Sequence, residues 1–122
     1  MKDNEMVKRL SQLRDMRREV DELSQRIGQM EQELRGQITA PGLNRARNLM
    51  ETRRWACMEE LGALYAFIDS IPDSRLRRIF SFRYIDGLSW LQVAFKIGEH
   101  DEQYPRRLHN RYIKGGKLSL HP

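Results

Sequence analysis

An apolar seam with a seven-residue period runs through the first third of the chain. Apart from a break at Arg9, its members alternate at spacings of three and four residues: Met6, Leu13, Met16, Val20, Leu23, Ile27, Met30 and Leu34. The other positions are mostly Glu, Arg, Gln, Asp and Ser, and no proline interrupts them. This pattern predicts one long helix over residues 3–35. Such a polar helix needs a second helix against its seam.

Two partners for the seam follow from the sequence. A second apolar stripe predicts a helix over about residues 43–68, and its members are Leu43, Ala46, Met50, Cys57, Leu61, Leu64 and Ile68. The break GQITAPG between the two helices has a length that suits an antiparallel hairpin within one chain. The seam could instead pair with a second copy of the chain, and we favour this arrangement because the polar faces leave little surface for a globular core. Residues 1–68 are therefore predicted to be a helical coiled-coil hairpin that forms a homodimer or a larger homo-oligomer.

Three shorter helices are predicted after this region. They cover residues 74–85 and 90–97 and a last segment that starts between Asp101 and Pro105 and ends at Lys114, with glycines after each. The fold class is therefore all-α, with a C-terminal three-helix unit over residues 69–116. Residues 117–122 are expected to form a flexible tail.

Positive charge is concentrated at the C-terminal end. The chain carries 22 Lys and Arg against 17 Asp and Glu, a net charge of +5. Residues 1–40 are balanced, with eight charges of each sign, whereas residues 103–122 carry five basic residues and no acid. A basic cluster of this kind is typical of a surface that meets a polyanion, although a solvated tail would have the same composition.

The last two predicted helices, joined at Gly98, form a helix-turn-helix pattern. The residues predicted to build its core are Trp90, Val93, Ala94, Ile97, Gly98, Tyr104 and Leu108. The polar residues of the last helix are of the types that contact phosphates and base edges. The predicted DNA-binding set is Arg106, Arg107, His109, Asn110, Arg111 and Lys114.

These residues resemble a known family. The segment RYIDGLSWLQVA over residues 83–94, Ile97-Gly98 and Arg107-Leu108-His109 together resemble the DNA-binding region 4 of bacterial sigma factors. The join to a coiled coil is similar to short phage and prophage transcription regulators of Gram-positive bacteria. The resemblance implies binding to double-stranded DNA and a contact with RNA polymerase. Two features depart from the sigma pattern, namely the acidic turn Glu99–Glu102 and Pro105 in the first turn of the recognition helix.

Other kinds of chemistry find little support in the sequence. Cys57 is the only cysteine, so neither an intrachain disulfide nor a cysteine zinc cluster can form. The three histidines do not have metal-ligand spacing, and phosphate-binding loops and nucleophile motifs are missing. We therefore expect a protein that is not an enzyme and uses no cofactor. A polar N-terminus without a long apolar run predicts a cytoplasmic location without membrane contact.

Three functions remain compatible with this pattern. The first is a DNA-binding transcription regulator of the phage or prophage type. The second is a DNA-packaging protein like a phage small terminase subunit, which also combines a helix-turn-helix with helical oligomerisation segments. The third is a module that docks on RNA polymerase without touching DNA. The first is the main prediction.

Overall fold

The computed structural model describes residues 2–35 and 41–115, and these residues form helices without any strand. The all-α prediction is confirmed. The helices are α1 (Lys2–Ser11), α2 (Leu13–Glu33), α3 (Pro41–Asp69), α4 (Ser74–Phe80), α5 (Trp90–Lys96) and α6 (Gln103–Gly115), and a π-helical turn (Ser81–Ile85) extends α4. The predicted tail and most of the GQITAPG break lie outside the described residues.

The described chain divides into two compact units. Residues 15–63 form the hairpin unit, and residues 2–14 together with 64–115 form the second unit. This grouping differs from the predicted division at residue 68, because both α1 and the end of α3, from Leu64 onward, belong with the C-terminal helices rather than with the hairpin. The predicted single helix over residues 3–35 is also interrupted at Gln12, whose amide bonds to the Arg9 carbonyl at 3.1 Å in a tighter turn.

In the hairpin unit, α2 and α3 run antiparallel. Arg47 Nη1 lies 3.3 Å from Glu31 Oε2, and Arg54 Nη1 donates to Ser24 Oγ at 3.3 Å. Further along α3, the Cys57 thiol lies 3.6 Å from Glu19 Oε1. As the residue number rises along α3, that of its partner on α2 falls. Of the two arrangements left open by the sequence, the structure therefore has the hairpin within one chain.

The seam of the hairpin unit is filled by the chain's own side chains. Leu23 and Ile27 of α2 are buried, as are Cys57 and Leu61 of α3. The polar faces of the helices favoured an intermolecular seam, but α3 supplies the partner surface within the same chain. Met16, Val20, Met30 and Leu34 are half-buried. Self-association stays a prediction, but burial of this seam no longer requires it.

Aromatic rings dominate the core of the second unit. Phe80 of α4 has no exposed surface and packs against Phe67, Tyr84, His109 and Tyr112, with ring centroids 4.7–6.1 Å apart. Aliphatic side chains fill the space around these rings, and the completely buried ones are Leu10, Leu13, Leu64, Ile71, Ile79 and Val93. Burying one large aromatic ring at the centre orders four helical segments at once.

Local capping signals set the ends of the short helices as predicted. The Asp73 carboxylate accepts from the Arg75 amide at the start of α4. Ser89 and Gln92 form a reciprocal capping box at the start of α5. Gly98 has φ +85°, and the Glu99 amide bonds to the Ala94 carbonyl at 2.8 Å, which closes the C-terminus of α5 in a Schellman turn. These caps place α5 and α6 in the predicted helix-turn-helix order.

Candidate nucleic-acid interface

The acidic turn before α6 is used within the fold. The Asp101 side chain accepts from the Gln103 amide at 2.9 Å and so caps α6. Glu99 lies 2.9 Å from Arg75 Nη2, which also donates to the Ile97 carbonyl. Pro105 is the third residue of α6, where an amide hydrogen has no partner in the helix, so the proline costs no hydrogen bond. Both departures from the sigma pattern are therefore compatible with a helix at this position.

The inner face of α6 differs from the predicted one. Pro105, His109 and Tyr112 are buried at spacings of four and three residues, whereas Tyr104 and Leu108 are only half-buried. Tyr104 lies under the Arg75 guanidinium, 5.2 Å from ring centroid to Cζ. The predicted face was one residue out of phase, because it followed the pair Tyr104 and Leu108, whereas the buried stripe begins at Pro105. The spacing of Pro105, His109 and Tyr112 was the signal that could have identified the buried stripe.

His109 must be removed from the predicted DNA-binding set, because it is only 3% exposed. Its Nε2 lies 2.6 Å from the Tyr84 hydroxyl, and its Nδ1 lies 2.9 Å from Asn110 Oδ1. These partners fit a neutral imidazole that donates from Nδ1 to the amide oxygen and accepts the tyrosine proton at Nε2. Burial lowers the pKa of His109, and burial also raises the pKa of Tyr84 to about 12. His109 is therefore a core residue with fully used hydrogen-bonding groups.

The lowered pKa of His109 predicts a loss of stability in mild acid. The unfolded chain takes up the proton near pH 6.5, whereas the folded chain resists it. The free energy of unfolding should therefore fall as the pH drops below about 6.5, and stop falling below the folded-state pKa. Urea unfolding at several pH values would measure this. His109→Phe should remove this part of the pH dependence, and His100→Gln, at an exposed position, should keep it. Equal pH dependence in the parent and His109→Phe would contradict the assignment.

Four of the predicted DNA-binding residues share the outer face of α6. Arg107, Asn110, Arg111 and Lys114 are all exposed, and Arg107, Arg111 and Lys114 follow one another at spacings of four and three residues. This outer face lies opposite the buried stripe and carries three positive charges and no acid. At about 1.5 Å per residue, α6 is about 20 Å long, which is enough to lie in a major groove.

Arg106 stands apart from this outer face. It is half-buried, lies 3.6 Å from Glu102 one turn earlier, and its Cζ is 6.0 Å from the Trp90 ring centroid. Arg83 covers the same ring more closely, with Cζ 4.6 Å from the centroid, and donates to the Leu88 carbonyl at 3.0 Å. Arg83 could not be identified from the sequence, because its role depends on a tertiary contact with Trp90 that sequence spacing does not reveal.

The remaining predicted core residues are placed as follows. Val93, Ala94 and Ile97 are buried, as expected for the inner face of α5. Trp90 is half-buried, with its ring 5.0 Å from that of His109. Gly98 provides the turn with its positive φ. The buried side of the short helix α5 thus packs against α6, whose charged face points outward.

Two further findings concern the described residues as a whole. Within residues 2–35 and 41–115, no group of three His, Cys, Asp or Glu side chains is arranged to hold a metal ion. None of the helices in these ranges is long and apolar enough to cross a membrane. Comparison with protein-family models, curated proteins and solved structures finds no match for this chain.

Proposed function

We propose that the protein binds double-stranded DNA and reads it with the outer face of α6. The observation that carries this proposal is an exposed face with Arg107, Asn110, Arg111 and Lys114 and no acid, presented by the second helix of a helix-turn-helix. Arginine and lysine supply the charge that phosphates require, while arginine and asparagine are the residue types that make paired hydrogen bonds to guanine and adenine.

The biological role that fits best is a transcription regulator of the phage or prophage type. The resemblance of residues 83–109 to sigma region 4 supports this role and suggests RNA polymerase as a second partner. A ring of eight or more copies in solution would instead favour the DNA-packaging alternative. Mass measurement by analytical ultracentrifugation distinguishes a monomer or dimer from such a ring.

Substitutions on the outer face should separate base reading from phosphate contact. A preferred duplex is first selected from random DNA, and binding is then titrated at several salt concentrations. Arg107→Ala and Asn110→Ala should each cost about 1–3 kcal/mol on the preferred duplex and much less on random DNA. Lys114→Ala should weaken binding to both and flatten the slope of log affinity against log salt by about one unit per contact in the complex.

Arg18→Ala is the matched control, because Arg18 is an exposed arginine of the hairpin unit whose ion pair to Asp15 is 3.7 Å long. It should leave both affinity and salt slope unchanged. If the three α6 variants bind DNA like the parent, α6 is not the recognition helix. If selection enriches no sequence and random duplex does not bind at low salt, the proposal of a DNA-binding protein is wrong.

A second candidate function, docking on another protein, is favoured by two apolar side chains of α5. Leu91 is 45% exposed and Phe95 is 56% exposed, and they lie one helical turn apart. RNA polymerase is the partner that the sigma resemblance suggests for this pair. Binding of purified bacterial RNA polymerase that is lost in a Leu91→Ser, Phe95→Ser double variant, with DNA binding retained, would support this function.

A further inference from the structure

A pocket of about 380 Å³ opens to solvent on the second unit beside α6, and Asn110 is the one residue of the outer face of α6 that lines it. Val7, Leu10 and Arg14 line it from the N-terminal segment. The π-helical turn and the loop after it contribute Arg83 and Leu88, and Trp90 and α6 close the remaining sides. Its volume is near the lower end of the range of about 300–1,000 Å³ for small-molecule sites, so it suits a ligand with one ring system.

Three arginines line the pocket, and none of its lining residues is an acid. Arg14 forms no ion pair within the described part of the chain, and its guanidinium lies so close to Gly87 that a β-carbon there would overlap it. Arg83 is held by the Leu88 carbonyl and the Trp90 ring. The positive charge of these two side chains is therefore not neutralised by any carboxylate in the described residues.

Arg106 is the third cation, and its charge is only weakly compensated within the protein. Its contact with Glu102 is 3.6 Å long, and both side chains are substantially exposed, so this pair contributes little. A guanidinium has five N–H donors, so Arg106 retains donors for an anion in the pocket beside its contact with Glu102.

The other walls of the pocket are apolar or neutral. Val7, Leu10 and Leu88 are aliphatic, and Tyr84 and His109 face each other through their hydrogen bond and hold no charge. A bare phosphate or sulfate would leave this apolar surface uncovered. Guanidinium planes are also good surfaces for stacking flat rings.

From this juxtaposition we propose that the pocket binds a small aromatic anion, a molecule that carries one phosphate or carboxylate group and one planar ring system. The anionic group meets Arg14 and Arg106, and the ring lies against Val7, Leu88 and the Arg83 guanidinium. A DNA backbone phosphate is a less suitable occupant, because the phosphate contacts the arginines only and leaves the apolar walls empty. The site needs no bound DNA, so it can be tested separately from the function of α6.

The fluorescence of Trp90 reports directly on the pocket. The chain has two tryptophans, and Trp55→Phe leaves Trp90 as the only one. AMP serves as the aromatic anion, with adenosine as the same ring without charge and inorganic phosphate as the charge without ring. AMP should change the Trp90 emission in a saturable way with a dissociation constant of about 1 mM or below. Adenosine and inorganic phosphate should each bind at least about tenfold more weakly, a difference of about 1.4 kcal/mol.

Variants of the whole chain that each lose one positive charge test whether AMP binds in the pocket. In the Trp55→Phe background, Arg14→Gln and Arg106→Gln should each weaken AMP binding about tenfold or more. Arg107→Gln is the matched control, since Arg107 is on the same helix but does not line the pocket, and it should bind AMP like the parent. Far-UV circular dichroism checks that each variant retains its helices.

Several outcomes would overturn the proposal. One is a lack of saturable signal with AMP up to about 10 mM at low salt. Another is AMP binding that both pocket variants retain. Inorganic phosphate that binds as well as AMP would show a plain anion site without ring recognition. Loss of DNA affinity in Arg14→Gln, together with no AMP binding, would assign the pocket to the DNA interface.

Discussion

Phe80→Ala should destabilise the second unit by about 3–5 kcal/mol. Phe80 has no exposed surface, and its ring meets Phe67 at 6.1 Å, Tyr84 at 5.8 Å, His109 at 4.7 Å and Tyr112 at 5.8 Å between centroids. Removing it leaves a cavity among four aromatic rings that belong to α3, the π-helical turn and α6. Such rings cannot collapse together without moving the helices that carry them, so the surroundings relax little.

Chemical unfolding followed by near-UV circular dichroism measures this loss, because the aromatic cluster gives the signal. The matched control is Phe95→Ala, which removes the same side chain at a position that is 56% exposed. The control should change the free energy of unfolding by at most about 0.5 kcal/mol. If the two variants lose similar stability, Phe80 is not the centre of the core.

Ile27→Asp should open the hairpin unit, at a cost of at least about 3 kcal/mol. Ile27 is 4% exposed and lies in the seam between α2 and α3. The substitution both removes a buried aliphatic side chain and places a carboxylate where water cannot reach it. Gln25→Asp introduces the same residue at an exposed position two residues away and should leave the hairpin intact.

Helix content and mass together show whether the seam is closed within one chain. For the hairpin described here, Ile27→Asp reduces far-UV circular dichroism without changing the mass found by ultracentrifugation. If the seam instead joined two chains, the same variant would halve the mass or reduce it further. Deleting residues 1–40 would be a poorer test, because that deletion also removes α1 from the second unit.

The features of the fold that depend on residues close together in the sequence could be predicted from the sequence. Ser89 and Gly98 set the ends of α5 through hydrogen bonds to residues a few positions away. The seven-residue period of the seam predicted the burial of Leu23 and Ile27. The same period would occur whether the partner helix belonged to the same chain or to a second copy. The choice of α3 as the partner depends on packing across the whole hairpin.

The candidate site was predicted less completely. The outer residues of α6 were identified because charge and helical spacing are both visible in the sequence. His109 was misplaced because its type suits a phosphate contact and a buried hydrogen bond equally well, and Tyr84, its partner, is 25 residues away. Arg14 and Arg83 were not recognised at all, since their proximity depends on α1 packing beside the C-terminal helices.

The second unit is discontinuous in the chain, and this has a consequence for synthesis on the ribosome. Residues 2–14 are made before residues 64–115, with which they belong, so they have no docking surface until those later residues have been translated. The hairpin unit, by contrast, is contiguous and closes through a short connection, so it can form while the ribosome is still making α4–α6. During this interval Leu10 and Leu13, which become fully buried later, are exposed to solvent. The late step of folding is therefore the docking of α1 against α6. The long sequence separation between these two helices slows the formation of this contact.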